Sequence, residues 1–134
     1  MFQDCRGLVL TTVSAQAAAA FDHAIDGYLG YRADMAARMQ ALLAADPDFG
    51  LAHCLKGYLF LMGFRVDALG AARAALADGR RCAGTGREKA HLAALAHWAD
   101  GDPLRDGLRR EQERRGYANQ DRSEQLSIHT GSSY

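Results

Sequence analysis

The chain has 134 residues, enough for one domain with a modest core. Hydrophobic residues make up 49% and charged residues 24%, which excludes a low-hydropathy disordered chain. Sixteen basic and sixteen acidic residues cancel to zero, so the basic excess of a general nucleic-acid binder is absent, and neutrality predicts limited colloidal solubility. The three cysteines, Cys5, Cys54 and Cys82, are scattered and form no C-x-x-C pair. They read as reduced thiols of a cytoplasmic protein. No run of about 20 apolar residues is present to span a membrane. Gly7 to Val13 followed by Ala15-Gln16-Ala17 imitates a signal peptide, but Asp4 stands beside Arg6 and threonines break the short apolar run.

Residues 1–13 read as extended, with Leu8, Val9, Leu10 and Val13 able to pack on the rest of the chain. Ser14 is a good N-cap. Ala17, Ala20, Phe21, Ala24, Ile25, Tyr28 and Leu29 then recur at helical spacing and predict a first helix with a wide apolar stripe, weakening near Gly30. Asp34 is placed to cap a second helix with Met35, Met39, Leu42 and Leu43 on one side. Asp46-Pro47 stops it, because the residue before a proline is driven out of the α region.

The third helix, roughly 49–63, carries Leu51, Cys54, Leu55, Tyr58, Leu59 and Met62 on one stripe, with Ala52, Phe60 and Leu61 on other faces. Such a helix is sandwiched between neighbours. Asp67 is expected to cap a fourth helix whose face is mostly alanine (Ala68, Ala72, Ala75), with Gly79 at its C′ position and a loop over 79–86. Thr85-Gly86-Arg87-Glu88 is a capping box opening a fifth helix through about Asp100, with His91, Leu92, Leu95, Trp98 and Ala99 inward. Asp102-Pro103 would open a sixth helix. The apolar pattern then fails, and residues 117–134 read as a polar disordered tail.

Helices joined by short turns form antiparallel hairpins. The order of helix, Asp-Pro break, helix with an internal glycine, turn and small-residue helix follows the logic of tetratricopeptide repeats. Pro47 closes one repeat and Gly57 admits a close neighbour, although Lys56 stands where that signature wants an apolar residue. The stretch from Phe21 to Gly63 together with Gly86 to Asp102 resembles the N-terminal part of tetratricopeptide-repeat-protein-38-like chains. The resemblance is carried by the long first helix, Asp46-Pro47-x-Phe49, Ala52-His53, Gly57, Arg87-Glu88, His91, Trp98 and Gly101-Asp102, and spans roughly residues 4–102. It implies an α-solenoid of helix pairs in a longer protein, with no catalytic residue to carry over. Asp106 and Arg109 depart from it where small and apolar residues are expected. The resulting expectation is a truncated or frame-shifted N-terminal piece of a longer solenoid.

Candidate chemistry is sparse. Glu88-x-x-His91 has the spacing of a bundle di-iron ligand pair, but a second copy and further glutamates at core depth are missing, so no metal and no cofactor are expected. Glu88 is better read as the capping partner of Thr85. Cys54 lies on the core stripe and its neighbour His53 off it, and His91 and His97 diverge around their helix. Gly84-Thr85-Gly86 with Arg80, Arg81 and Arg87 before a helix N-terminus could hold an anion, but lacks the Lys-Ser/Thr of a P-loop. Arg105, Arg109, Arg110, Arg114 and Arg115 alternate with acids, as on a solvated helix.

The reading from sequence is therefore an all-α protein of about six antiparallel helices, the start of a tetratricopeptide-like right-handed superhelix. Its helical domain covers 14–116. The expected function is a non-enzymatic scaffold for a protein or peptide partner, with His53, Lys56, Phe60 and His91 in the groove and Pro47, Gly57, Thr85, Glu88, Trp98 and Gly101 as structural residues. Nucleic acid and membrane are not expected partners, while self-association through an uncapped end is. The alternatives are an enzyme or small-ligand binder using Glu88, His91 and His53, and a helix-turn-helix regulator.

Overall fold

A computed structural model describes residues 2–101, 114–116, 118 and 120. Met1–Asp100 form one compact unit and Gly101–Tyr134 a second. In the second, Gly101 is a bend and the described residues 114–116, 118 and 120 are helical. The sixth helix expected from Asp102 within a helical domain reaching 116, and the tail expected to be disordered over 117–134, lie mostly outside the described residues.

The first unit is all-α apart from a small ribbon. β1 (Phe2–Gln3) pairs antiparallel with β2 (Val9–Leu10), with Phe2 opposite Leu10. This refines the expectation of a merely extended start. The helices are α1 (Ala15–Leu29), α2 (Met35–Ala45), α3 (Gly50–Met62), α4 (Leu69–Cys82) and α5 (Gly86–Asp100), with a 3-10 turn at Val66–Ala68 before α4. Short turns make α1–α2 and α3–α4 antiparallel hairpins. Thr11 and Thr12, just before α1, bond Glu88 at the start of α5 and Asp46 just before α3, while Phe64 after α3 packs against Trp98 near the end of α5, so α1, α3 and α5 run the same way.

Local signals place most boundaries. The Ser14 hydroxyl accepts from the Ala17 N–H at 3.0 Å, starting α1. Glu88 and Thr85 form the reciprocal capping box: Glu88 N–H donates to Thr85 Oγ1 and Thr85 N–H to Glu88 Oε2, both at 3.2 Å. Three expectations need correction. Gly79 does not end α4 but lies buried inside it, and the helix runs on to Cys82. A Cβ at Gly79 would meet Leu92 Cδ2 at 2.6 Å, so the glycine serves the contact with α5 rather than a turn. Neither Asp34 nor Asp67 caps a helix with its side chain. Asp34 instead accepts from Arg38 Nε at 2.9 Å, and Asp67 accepts a bidentate pair from Arg65 at 3.0 and 2.5 Å.

The two hairpins share a pentad. Gly30-Tyr31-Arg32-Ala33-Asp34 follows α1, and Gly63-Phe64-Arg65-Val66-Asp67 follows α3, thirty-three positions on. Tyr31 (φ 52°) and Phe64 (φ 50°) are both left-handed. They occupy the αL position that usually falls to glycine at a helix C-terminus, one residue after the glycine itself. Tyr31 N–H bonds Tyr28 O and Arg32 N–H bonds Gly27 O, as in a Schellman closure, and Phe64 N–H bonds Leu61 O.

The core forms where Leu10, Phe21, Leu42, Phe49, Leu61 and Leu95 meet. Phe21 and Phe49 stack edge-on with centroids 5.4 Å apart. Gly57 faces α5, and a Cβ there would lie 2.5 Å from Leu95 Cδ2, so the expected close approach is present. No helix among the described residues is long and apolar enough to cross a membrane.

These backbone features generate two stability predictions. Gly57→Ala gains about 1 kcal/mol of helix propensity, but Leu95 is wholly buried and three of its atoms crowd the added methyl. Overpacking of about 1–3 kcal/mol offsets or exceeds the gain, and urea unfolding should register a net loss of up to about 2 kcal/mol. Tyr31 is 96% exposed, so Tyr31→Gly removes αL strain of about 1–2 kcal/mol against a smaller entropic cost. The same titration should show a gain of up to about 1 kcal/mol.

Candidate functional site

α3 divides the candidate residues between two faces. On one face, Lys56, Leu59 and Phe60 meet Met35, Met39 and Leu43 of α2 across a groove of about 570 Å³, open along one side, with Ala36 and Gln40 completing it. The groove exists because α2 meets α3 more sparsely than α3 meets α4. α2 instead seats itself on α1, where Arg38 and Met35 close over Gly27: a Cβ at that glycine would lie 2.6 Å from Arg38 Cδ and 2.7 Å from Met35 Sδ. Arg38 also donates to His23 O at 2.6 Å, in addition to its bond to Asp34. The lining is apolar but for Lys56 and Gln40.

On the opposite face, His91 lines a smaller recess of about 160 Å³ with Phe21, Ile25, Cys54, Tyr58 and Arg87. His91 is exposed, and its backbone carbonyl accepts from the Tyr58 hydroxyl at 3.1 Å. Burial, with a contribution from Cys54, holds the Tyr58 phenol above its ordinary value. Trp98 is half-buried, its ring 6.0 Å from that of Tyr58 and 6.4 Å from that of Phe64.

His53 belongs to neither face, which corrects its placement in the groove. It is 9% exposed, and its Nε2–H donates to the carbonyl of Pro47 at 2.7 Å. Because a carbonyl only accepts, Nε2 carries the proton; Nδ1 is buried and has no hydrogen-bond partner among the described residues. The ring packs by Gly79, whose added Cβ would stand 3.4 Å from His53 Cβ. Of the four groove residues read from sequence, the fold joins Lys56 and Phe60, sends His91 to the far side of α3 and buries His53.

Glu88 is 3% exposed and its carboxylate is fully engaged. Oε2 accepts from Gly84 N–H at 2.7 Å as well as from Thr85 N–H, and Oε1 accepts from the Thr11 hydroxyl. The Gly84 and Thr85 amides of the turn read as a possible anion site thus hold the chain's own carboxylate. Of the flanking arginines, Arg81 pairs with Asp78, and Arg87 donates to Val9 O at 3.4 Å and lies 4.0 Å from Asp4. Among the described residues no group of three or more His, Cys, Asp and Glu side chains has the geometry to hold a metal.

Sequence reasoning missed two buried carboxylates. Asp46 accepts from the Thr12 hydroxyl at 2.5 Å, Asp48 N–H at 3.1 Å and Val13 N–H at 3.4 Å. Asp4 accepts from Arg6 N–H at 2.9 Å and Leu8 N–H at 2.8 Å. The available signal was the pairing of small hydroxyls, Thr11 and Thr12, with isolated acids near helix starts. Comparison with protein-family models, with curated proteins and with solved structures finds no match.

Cys54 lies in the core beside Glu88. Burial, reinforced by that negative charge, pushes its thiol from 9.0 up to about 12. The folded state therefore keeps a proton that the unfolded chain loses first. The linked stability is intact below about pH 9 and falls as pH rises toward 12. Folding titrations should show this loss, and Cys54→Ala or Cys54→Ser should flatten it. Under native conditions at pH 8, Ellman's reagent should label exposed Cys5 and spare Cys54 until the chain is unfolded.

Proposed function

We propose that this chain is a tetratricopeptide-like helical-repeat scaffold that binds a protein partner and carries no catalytic centre. The observation that carries the reading is the pentad shared by Gly30–Asp34 and Gly63–Asp67 at a spacing of thirty-three residues, each closing the first helix of a hairpin on a left-handed aromatic. Equivalent turns at such a period are the mark of stacked helix pairs. The parallel course of α1, α3 and α5 fits that stacking, as does the α4 surface of Ala72, Ala75 and Gly79, small enough for close helix approach. It also fits the resemblance to tetratricopeptide-repeat-protein-38-like chains. Helix pairs stacked in this way present side chains along grooves rather than in a closed pocket, which suits a macromolecular partner. Three free cysteines accord with a reducing compartment.

Tagged wild-type chain and its Phe60→Asp variant, expressed at native level and cross-linked before capture, provide the test. Phe60 is half-buried at the groove, and equal melting of the two proteins will verify that the variant is folded. The expected result is one protein recovered in near-stoichiometric amount with the wild type and reduced at least tenfold with the variant. Recovery of no such protein, together with a turnover on a metabolite panel that His91→Ala abolishes, would replace the scaffold by an enzyme.

A further inference from the structure

We infer that the groove between α2 and α3 receives one face of an amphipathic helix from a partner, anchored by a carboxylate on Lys56; the inference rests on the scaffold reading and names the occupant. Lys56 is the one charged side chain in the lining, and it forms no ion pair among the described residues. Lys56 lines the same groove as Leu59 and Phe60, and an anion brought to it by an apolar ligand is attracted through surroundings less polar than water alone. The occupant is therefore apolar along one side with an acidic residue at its edge.

Geometry selects a helix over other acidic, apolar ligands. The α2 wall runs from Met35 through Met39 to Leu43, one residue per turn over about 12 Å. That matches two turns of a helix bearing apolar residues at i, i+3 or i+4, and i+7. An extended peptide would turn its own N–H and C=O groups against these apolar walls without partners, whereas a helix satisfies its backbone internally. A free alkyl carboxylate would lie half in water, since the groove is open along its length, and tight small-molecule sites enclose most of the ligand surface. A helix needs only one face covered. The two methionines, flexible and polarisable, suit a surface that closes on ridges of varied shape.

The test pans a displayed library, built on a rigid helical scaffold with one helix face randomised, against the intact wild-type chain. Enriched peptides are then measured by fluorescence anisotropy. We expect Leu, Met or Phe at i, i+3 or i+4, and i+7, with Asp or Glu fixed at one flanking position. Lys56→Glu should weaken binding about tenfold or more, and exchanging the peptide acid for lysine should restore affinity to that variant alone. Lys56 is half-exposed, and thermal melts will establish that the variant is folded. Enriched faces without a fixed acid, affinities indifferent to Lys56→Glu, or failure of the charge exchange would overturn the assignment. So would dodecanoate binding more tightly than every selected peptide and displacing them all, which would make the groove an amphiphile site. A cellular partner whose capture survives Lys56→Glu would leave the scaffold reading standing while removing this groove from it.

Discussion

Asp4, Asp46 and Glu88 are buried carboxylates, and the arrangement of the helices depends on how they are satisfied. An ionised carboxylate withdrawn from water costs several kcal/mol unless hydrogen bonds replace its hydration. All three find donors in or through the first thirteen residues. Asp4 folds its own ribbon turn, Thr12 and Val13 donate to Asp46 at the α2–α3 turn, and Thr11 donates to Glu88 at the start of α5. Asp22 of α1 adds a fourth tie by accepting from Cys5 N–H at 3.1 and 2.9 Å. The N-terminal strap thus joins three parts of the helical array at the end where α1, α3 and α5 begin. Negative charge there also complements the helix dipoles.

The opposite end is built differently. Its turns close on left-handed aromatics, and Tyr31, Phe64, Leu29 and Val66 stand exposed. Between the ends, packing is uneven. Gly57 and Gly79 bring α5 against α3 and α4 so closely that a single methyl group would collide. Gly27 brings α2 onto α1 in the same way, leaving the α3 side of α2 thinly covered. The groove is the complement of that choice, since a helix drawn tightly to one neighbour at 8–10 Å cannot fill the space beside another. Its apolar lining, with a single cation that forms no ion pair among the described residues, is the feature from which the reading of the chain as an interaction scaffold gains a location.

Much of the fold was legible because local chemistry fixed it. The Ser14 cap, the Thr85–Glu88 box, the Asp46-Pro47 break and the close approach at Gly57 depend on residues within a turn of each other or on the absence of a side chain. The errors arose where a competing partner won, near in sequence for Asp34 and Asp67 and distant for Gly79. Asp34 and Asp67 look like caps in isolation, but arginines outcompete the helix amides for them. Gly79 looks like a stop signal, but α4 continues because α5 needs the bare backbone there. Lys56 and Phe60 share a face as i and i+4 residues must, whereas His53 and His91 could be assigned only once the neighbours of α3 were known. The recurring pentad was written in the chain throughout. Its significance appeared when both aromatics proved left-handed.

By itself the sequence determined an all-α chain, its first five helices and the caps that start two of them, because helical periodicity and capping are governed by neighbours a few residues apart. Only the tertiary structure decided which face of α3 would be core and which groove, that His53 would be buried, and that Glu88 would hold the N-terminal strap as well as its own helix. Those outcomes depend on contacts between residues as far apart as Thr11 and Glu88, and on how closely each pair of helices packs. No local pattern encodes either.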